Sequence, residues 1–134
     1  MPVDERRYRG GVSAIPYCDD VLDPSISVYQ LVDVAQRLDV PIVRVHQMLR
    51  DRQLLALKRN RVPVVPKAFF DEDGQVLRPL RGLLAVLHDG GFRDEEILEW
   101  LFHDDDTLPG GCPIAALHTD SAREVVRRAQ ALAF

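Results

Sequence analysis

Apolar side chains recur at Leu31, Val34, Ala35 and Leu38, the spacing of one face of an α-helix. The pattern breaks at Asp39-Val40-Pro41. Proline disfavours helical backbone in the residue before it and has no N–H to donate, yet its fixed φ suits the opening of a helix. A second helix is therefore predicted from about Pro41 to Arg50, with Ile42, Val45, Met48 and Leu49 facing inward. Ser27 followed by Gln30 is a capping-box pattern for the start of the first helix. Ala35 falls where the two helices of a helix-turn-helix cross closely and need a small side chain, with Leu38, Val40, Val45 and Met48 packing between them. The turn position that usually carries glycine is Asp39, and aspartate adopts left-handed backbone at modest cost.

Residues 54–58 and 62–66 are short apolar runs around Arg59-Asn60-Arg61, the pattern of a β-hairpin. Pro63 and Pro66 cannot donate to a ladder, which predicts an edge strand for the second run. Two helices followed by such a hairpin predict a winged helix-turn-helix, the hairpin being the wing. Beyond Pro66, Lys67 to Phe70 reads as a short helix or strand and Asp71-Glu72-Asp73-Gly74 as a turn. Leu80, Leu83, Leu84 and Leu87 mark a helix ending at Gly90-Gly91, and Ile97, Leu98, Trp100 and Leu101 mark one beginning near Asp94. A last helix is predicted from about Ser121 to Leu132, with Val125, Val126, Ala129 and Leu132 inward. The first 20 residues, charged and carrying Gly10-Gly11, read as a flexible arm. The expected fold class is thus mainly α: an arm over 1–20, a winged helix-turn-helix domain with a small β-hairpin wing over 21–70, and a C-terminal helical extension, a small bundle of three helices, over 71–134.

Charge sharpens this picture. The whole chain carries −4, but residues 44–61 hold Arg44, Arg50, Arg52, Lys58, Arg59 and Arg61 against Asp51 alone, a local +5. A basic patch on an acidic protein is most simply explained by phosphate neutralisation, which points to double-stranded DNA as the partner; a solvated charged face is the bland alternative. In that arrangement the second helix enters the major groove with Val43, Arg44, Gln47 and His46 near base edges, where Arg suits guanine and Gln suits adenine. The wing residues Lys58, Arg59 and Arg61 lie against the backbone or in the minor groove, supplying affinity where the helix supplies specificity, and Arg50 and Arg52 are candidates for DNA contact as well. Arg6, Arg7 and Arg9 of the arm are further candidates for DNA contact. From Phe70 to Asp106 the net charge is −8, so this half is expected to position the reading head or hold a protein partner rather than lie on DNA itself.

Composition fits a folded chain: 134 residues, 46% hydrophobic, enough for one modest core or two small subdomains. No apolar run approaches a membrane span and the N-terminus lacks the apolar centre of a signal peptide, so no membrane contact and a cytoplasmic location are expected. Cys18 and Cys112 have no metal-ligand spacing and read as buried or incidental thiols. Asp104-Asp105-Asp106 lacks the glycine and closing glutamate of a calcium loop, the four histidines have no ligand spacing, and no metal is expected. With no nucleophile elbow, zinc-protease motif, phosphate loop or dinucleotide fingerprint, the chain reads as a non-enzyme without cofactors.

The segments VLDPSISVYQLVDVAQRLDVPIVRVHQMLRDRQLLALKRNRVPVVPKAFF, LLAVLHDGGFRDEEILEWLF and SAREVVRRAQALAF resemble a family of small actinobacterial winged helix-turn-helix proteins known as substrates of the Ser/Thr protein kinase L. The resemblance runs from about Asp19 to Phe134. It implies DNA binding by a head of the excisionase and MerR kind, a C-terminal helical extension, and phosphorylation of a threonine in the arm. The chain departs from the last point: its threonines are Thr107 and Thr119, and the arm offers Ser13. If Ser13 is modified, its added negative charge opposes nearby DNA phosphates. A second, partial resemblance joins Trp100-Leu101, Leu108-Pro109-Gly110, Pro113-Ile114, Leu117 and Val125 to the toxin-binding domain of Xre-type antitoxins, which implies a protein partner for the acidic half. The leading expectation is a DNA-binding transcriptional regulator or nucleoid-associated factor; the alternatives are an antitoxin-like protein and a pure interaction module.

Overall fold

The computed structural model describes residues 15–133. Within them the expected head forms. Helix α1 spans Leu31–Leu38 and buries Leu31, Val34 and Ala35; helix α2 spans Ile42–Arg50 and buries Val45, Met48 and Leu49. Asp39 between them adopts left-handed backbone (φ 57°, ψ 49°), and the Val40 N–H closes the turn on the Ala35 carbonyl at 3.0 Å. Pro41 caps α2 in extended geometry. Ile42, expected inward, is 39% exposed. It lies one residue past the cap and a full turn before the buried Val45-Met48-Leu49 stripe, so the turn carries it to the rim.

The start of α1 also differs. Its cap is Gln30, not Ser27: Asp33 accepts from the Gln30 N–H at 3.2 Å and the Gln30 side chain reciprocates. The reason is a strand. Residues Val28–Gln30 form β2 and pair with β4, so the helix cannot begin until the ladder ends.

The wing consists of β3, Leu57–Arg59, and β4, Val62–Pro66, antiparallel with Leu57 opposite Val64. Asn60 and Arg61 both have positive φ, 53° and 67°, as a two-residue hairpin turn of the twist-compatible kind requires. The sheet has four strands in the order β1-β3-β4-β2, where β1, Cys18–Asp19, runs parallel to β3. Strand β4 is therefore internal, not an edge, despite its two prolines. The register explains how. The Lys67 N–H bonds the Ser27 carbonyl at 3.0 Å, so Pro66, one residue back, points its nitrogen away from β2 and past the start of β3. Pro63 pairs with Lys58 but sits beyond the end of β2, so its missing donor is not needed either. Strand β1 corrects the expected arm: residues 15–20 belong to the fold, whereas Arg6, Arg7, Arg9 and Ser13 lie outside the described residues.

A single 3-10 turn, Lys67–Phe69, leads out of the sheet. The C-terminal half holds α3 (Leu80–Asp89), α4 (Asp94–Phe102), a short α5 (Pro113–Ala116) and α6 (Ala122–Ala133). The sequence pattern missed α5 because four residues are too few to show a helical period. Acidic Asp94, Glu95 and Glu96 occupy the first turn of α4, where the helix dipole favours them. In α6, Val125 and Ala129 are buried as expected, but Leu132 is 49% exposed. There α6 presents Ala133 to α3 instead: a Cβ on Gly90 would come within 2.7 Å of the Ala133 Cβ, so the two helix ends meet where glycine leaves room. Gly91, with φ 92°, makes the left-handed exit of α3.

One core runs through both halves, from Leu31, Val45 and Leu57 to Leu84, Leu98 and Val125. The fully buried Phe69 joins them, its ring 6.4 Å from that of Phe102 on α4. His118 Nε2 meets the Ala68 carbonyl at 2.7 Å, and Arg52 pairs with Asp94 at 2.8 Å, tying the two halves on both sides.

Candidate nucleic-acid interface

The buried stripe of α2 fixes what its other faces present. With Val45, Met48 and Leu49 turned to the core, Val43, Gln47 and Arg50 lie on the outward face, and Val43 is 65% exposed. Arg44, one turn before Met48, is exposed on one flank, and His46 is half-buried on the other. Arg50 Nη2 donates to Gln47 Oε1 at 3.2 Å, while Gln47 Nε2 donates to Asp51 Oδ1 at 2.9 Å, so the outward face carries a small polar chain. Arg44 and Arg50 form no ion pair with any described residue.

The basic wing divides in two. Lys58 and Arg61 are exposed, and Lys58 Nζ lies 5.6 Å from the Tyr17 ring centroid, over its face. Arg59 departs from the expectation of a wing-tip phosphate contact. Its side chain is 14% exposed: Nε donates to Asp20 Oδ2 at 2.7 Å, Nη1 to the Ile26 carbonyl at 2.7 Å, and Nη2 to Asp20 Oδ1 and the Asp23 carbonyl. These hydrogen bonds hold Asp20 below the usual carboxylate range and raise the guanidinium above its own. Arg59 is thus a fastener for the 20–26 loop. Arg52 is also diverted, its left-handed backbone (φ 59°) turning the guanidinium to Asp94 on α4. Sequence could not separate these two from their neighbours, because Asp20 and Asp94 are distant in the chain.

Other candidates fall away from chemistry. The Cys18 thiol is pushed up to about 12, by burial first and then by Glu95, Asp94 and Asp19, which keeps it protonated; Cys18 and Cys112 are both free. Asp105 accepts from the Thr107 N–H and hydroxyl and from Arg128, and its carboxyl is lowered chiefly by Thr107, so this acidic run is a loop tied to α6. Among the described residues no cluster is arranged to hold a metal ion, and no helix is long and apolar enough to cross a membrane.

Comparison with known proteins places the chain. Residues 14–70 match the family described as "DNA-binding protein Rv2175c, wHTH domain", and residues 77–133 match the "Rv2175c C-terminal domain of unknown function". DNA-binding protein Rv2175c of Mycobacterium tuberculosis is 47% identical over 134 residues, covering 92% of each chain. The chain belongs to the Rv2175c family. The NMR structure of Rv2175c agrees in fold, with a TM-score of 0.81 at 45% identity over 100% of both chains. The match over 77–133 carries the C-terminal half within the same family, and the antitoxin reading gains no support from it.

Proposed function

We propose that this protein binds double-stranded DNA through its winged helix-turn-helix and acts there as a transcriptional regulator or nucleoid-associated factor. The observation that carries the reading is the placement of cations that pair with no described carboxylate: Arg44 and Arg50 on the exposed side of α2, and Lys58 and Arg61 on the wing, stand on one head of a chain that is acidic overall. The name of the relative, a DNA-binding protein, points the same way. In this reading α2 lies in the major groove. Val43, Gln47 and Arg50 face base edges, where Gln47 exchanges its hydrogen bonds with Asp51 and Arg50 for the edge of a base, and Lys58 and Arg61 neutralise phosphates.

Fluorescence-anisotropy binding to a mixed pool of duplex DNA, titrated over salt, tests the proposal. The wild type is expected to lose affinity linearly in log salt. A Lys58→Ala, Arg61→Ala variant is expected to bind every sequence more weakly, with a slope shallower by about 0.9 for each phosphate no longer neutralised. Absence of binding by the wild type at low salt would sink the reading.

A further inference from the structure

Resting on the DNA-binding reading, we infer that the C-terminal domain takes part in it: Arg78 and Arg81 form a phosphate-contacting wall beside α2. The exposed Arg44 flank of α2 borders an open cleft. The cleft measures about 600 Å³, and its other side is the loop and helix start of the C-terminal domain, lined there by Asp71, Asp73, Gln75, Arg78 and Arg81. Leu38, Val40, Met48 and Val76 make its apolar floor. A second cleft of about 370 Å³ continues past Gln53, with Arg50 of α2 on one side and Arg81 on the other. Arg44, Arg78 and Arg81 thus line the first cleft and Arg50 and Arg81 the second, and none of the four forms an ion pair with a described residue.

Carboxylates stand among these arginines, and two of them are engaged locally. Asp71 accepts from the N–H groups of Asp73 and Gln75, which fixes it in its own turn, and Asp51 accepts from Gln47. Arg52, in the second cleft, is held by Asp94. Asp51, Asp71, Asp73 and Asp89 all keep their charge and oppose the arginines, which limits the wall to local contacts and prevents a broad basic face. Docking geometry supplies the ligand. An α-helix with its side chains is about 10–12 Å across and the major groove is about 12 Å wide, so a helix seated there fills it. Whatever flanks the helix then meets the phosphates of the strand bordering the groove. On the Arg44 flank those groups are Arg78 and Arg81. The acidic balance of 70–106 conceals this, because the two arginines are scattered among carboxylates in sequence and gather with Arg44 and Arg50 only in the fold.

The test is the same salt titration, on full-length Arg78→Ala, Arg81→Ala, its Arg78→Lys, Arg81→Lys counterpart, and Arg123→Ala on the exposed side of α6 as a control for charge alone. With two phosphates no longer neutralised, the log–log slope is expected to flatten by about 1.8, with affinity falling on all sequences. The lysine counterpart should retain most of the slope and Arg123→Ala should stay near wild type. All three exchanged sites are exposed, so unfolding is not expected, and melting curves check this. Wild-type slope in the alanine double variant, or an equal change in Arg123→Ala, would overturn the wall while leaving DNA binding by the head intact. A wild type that binds no DNA would overturn both.

Discussion

The guanidinium of Arg59 is committed to Asp20, Ile26 and Asp23, while that of Arg61, two residues on, is open to solvent on backbone with φ 67°. Left-handed backbone costs a non-glycine residue about 1–2 kcal/mol, and glycine would relieve it. Glycine's greater freedom when unfolded offsets about 0.5–1 kcal/mol of that. Arg61→Gly is therefore expected to leave the melting temperature unchanged or slightly higher while weakening DNA binding. Arg59→Ala is expected to do the reverse, losing about 1–2 kcal/mol from charge-assisted hydrogen bonds on a partly exposed group, with the salt slope of DNA binding retained. Parallel melting and binding measurements decide it; equal loss of affinity from both would mean that Arg59 leaves Asp20 to reach phosphate. At this scale the sequence was readable where a residue's task is local: Asp39 announces its turn by standing where glycine is usual. It was not readable where the partner is remote, since nothing in Lys58-Arg59-Asn60-Arg61 tells which cation Asp20 will take.

Elements were legible in proportion to their length. Helices α1, α2, α3, α4 and α6 each bury a periodic stripe, whereas the two residues of β1 and the four of α5 are set by neighbours rather than by pattern. The prolines of β4 misled for a related reason: a proline excludes a strand from the interior only if its nitrogen faces a neighbour, and register, not composition, decides that. The docking of α6 shows the same dependence on remote partners. Glu124 accepts from Arg127 and Arg128, and Arg128 also reaches Asp105, stitching the helix to the 105–108 loop. Those two guanidinium groups hold the Glu124 carboxyl at about 2, below its ordinary 4.5. Because the folded value lies below the unfolded one, the contribution is complete above the ordinary range and disappears as the pH falls through it toward 2. Glu124→Gln is expected to melt below wild type above about pH 5, with the two melting-temperature curves converging on acidification. Curves that stay parallel would show that the stitch carries no charge-dependent stability.

At the scale of the molecule, composition allowed one core or two, and the separation of charge, +5 over 44–61 against −8 over 70–106, spoke to DNA contact and not to how the halves join. The fold joins them through side chains whose role no periodicity reveals. Phe69 sits in a single 3-10 turn, is wholly buried, and packs toward Phe102, while the carbonyl of Ala68 beside it meets His118, two residues past α5. The inferred wall depends on this union, since a loosely tethered C-terminal domain would not keep Arg78 and Arg81 on the same cleft as Arg44. Truncating a buried phenylalanine costs about 3–5 kcal/mol, a large share of a domain's stability. Phe69→Ala is expected to lower the stability of both halves together. Trp100, the sole tryptophan, reports on the C-terminal half, and far-UV circular dichroism reports on the whole chain. In wild type the two signals are expected to trace one denaturation curve, and in Phe69→Ala to shift by the same amount and remain superimposed. If instead Trp100 unfolds at its wild-type midpoint while the rest of the dichroism moves, the halves are energetically separate, and the wall beside α2 loses the rigidity on which it depends.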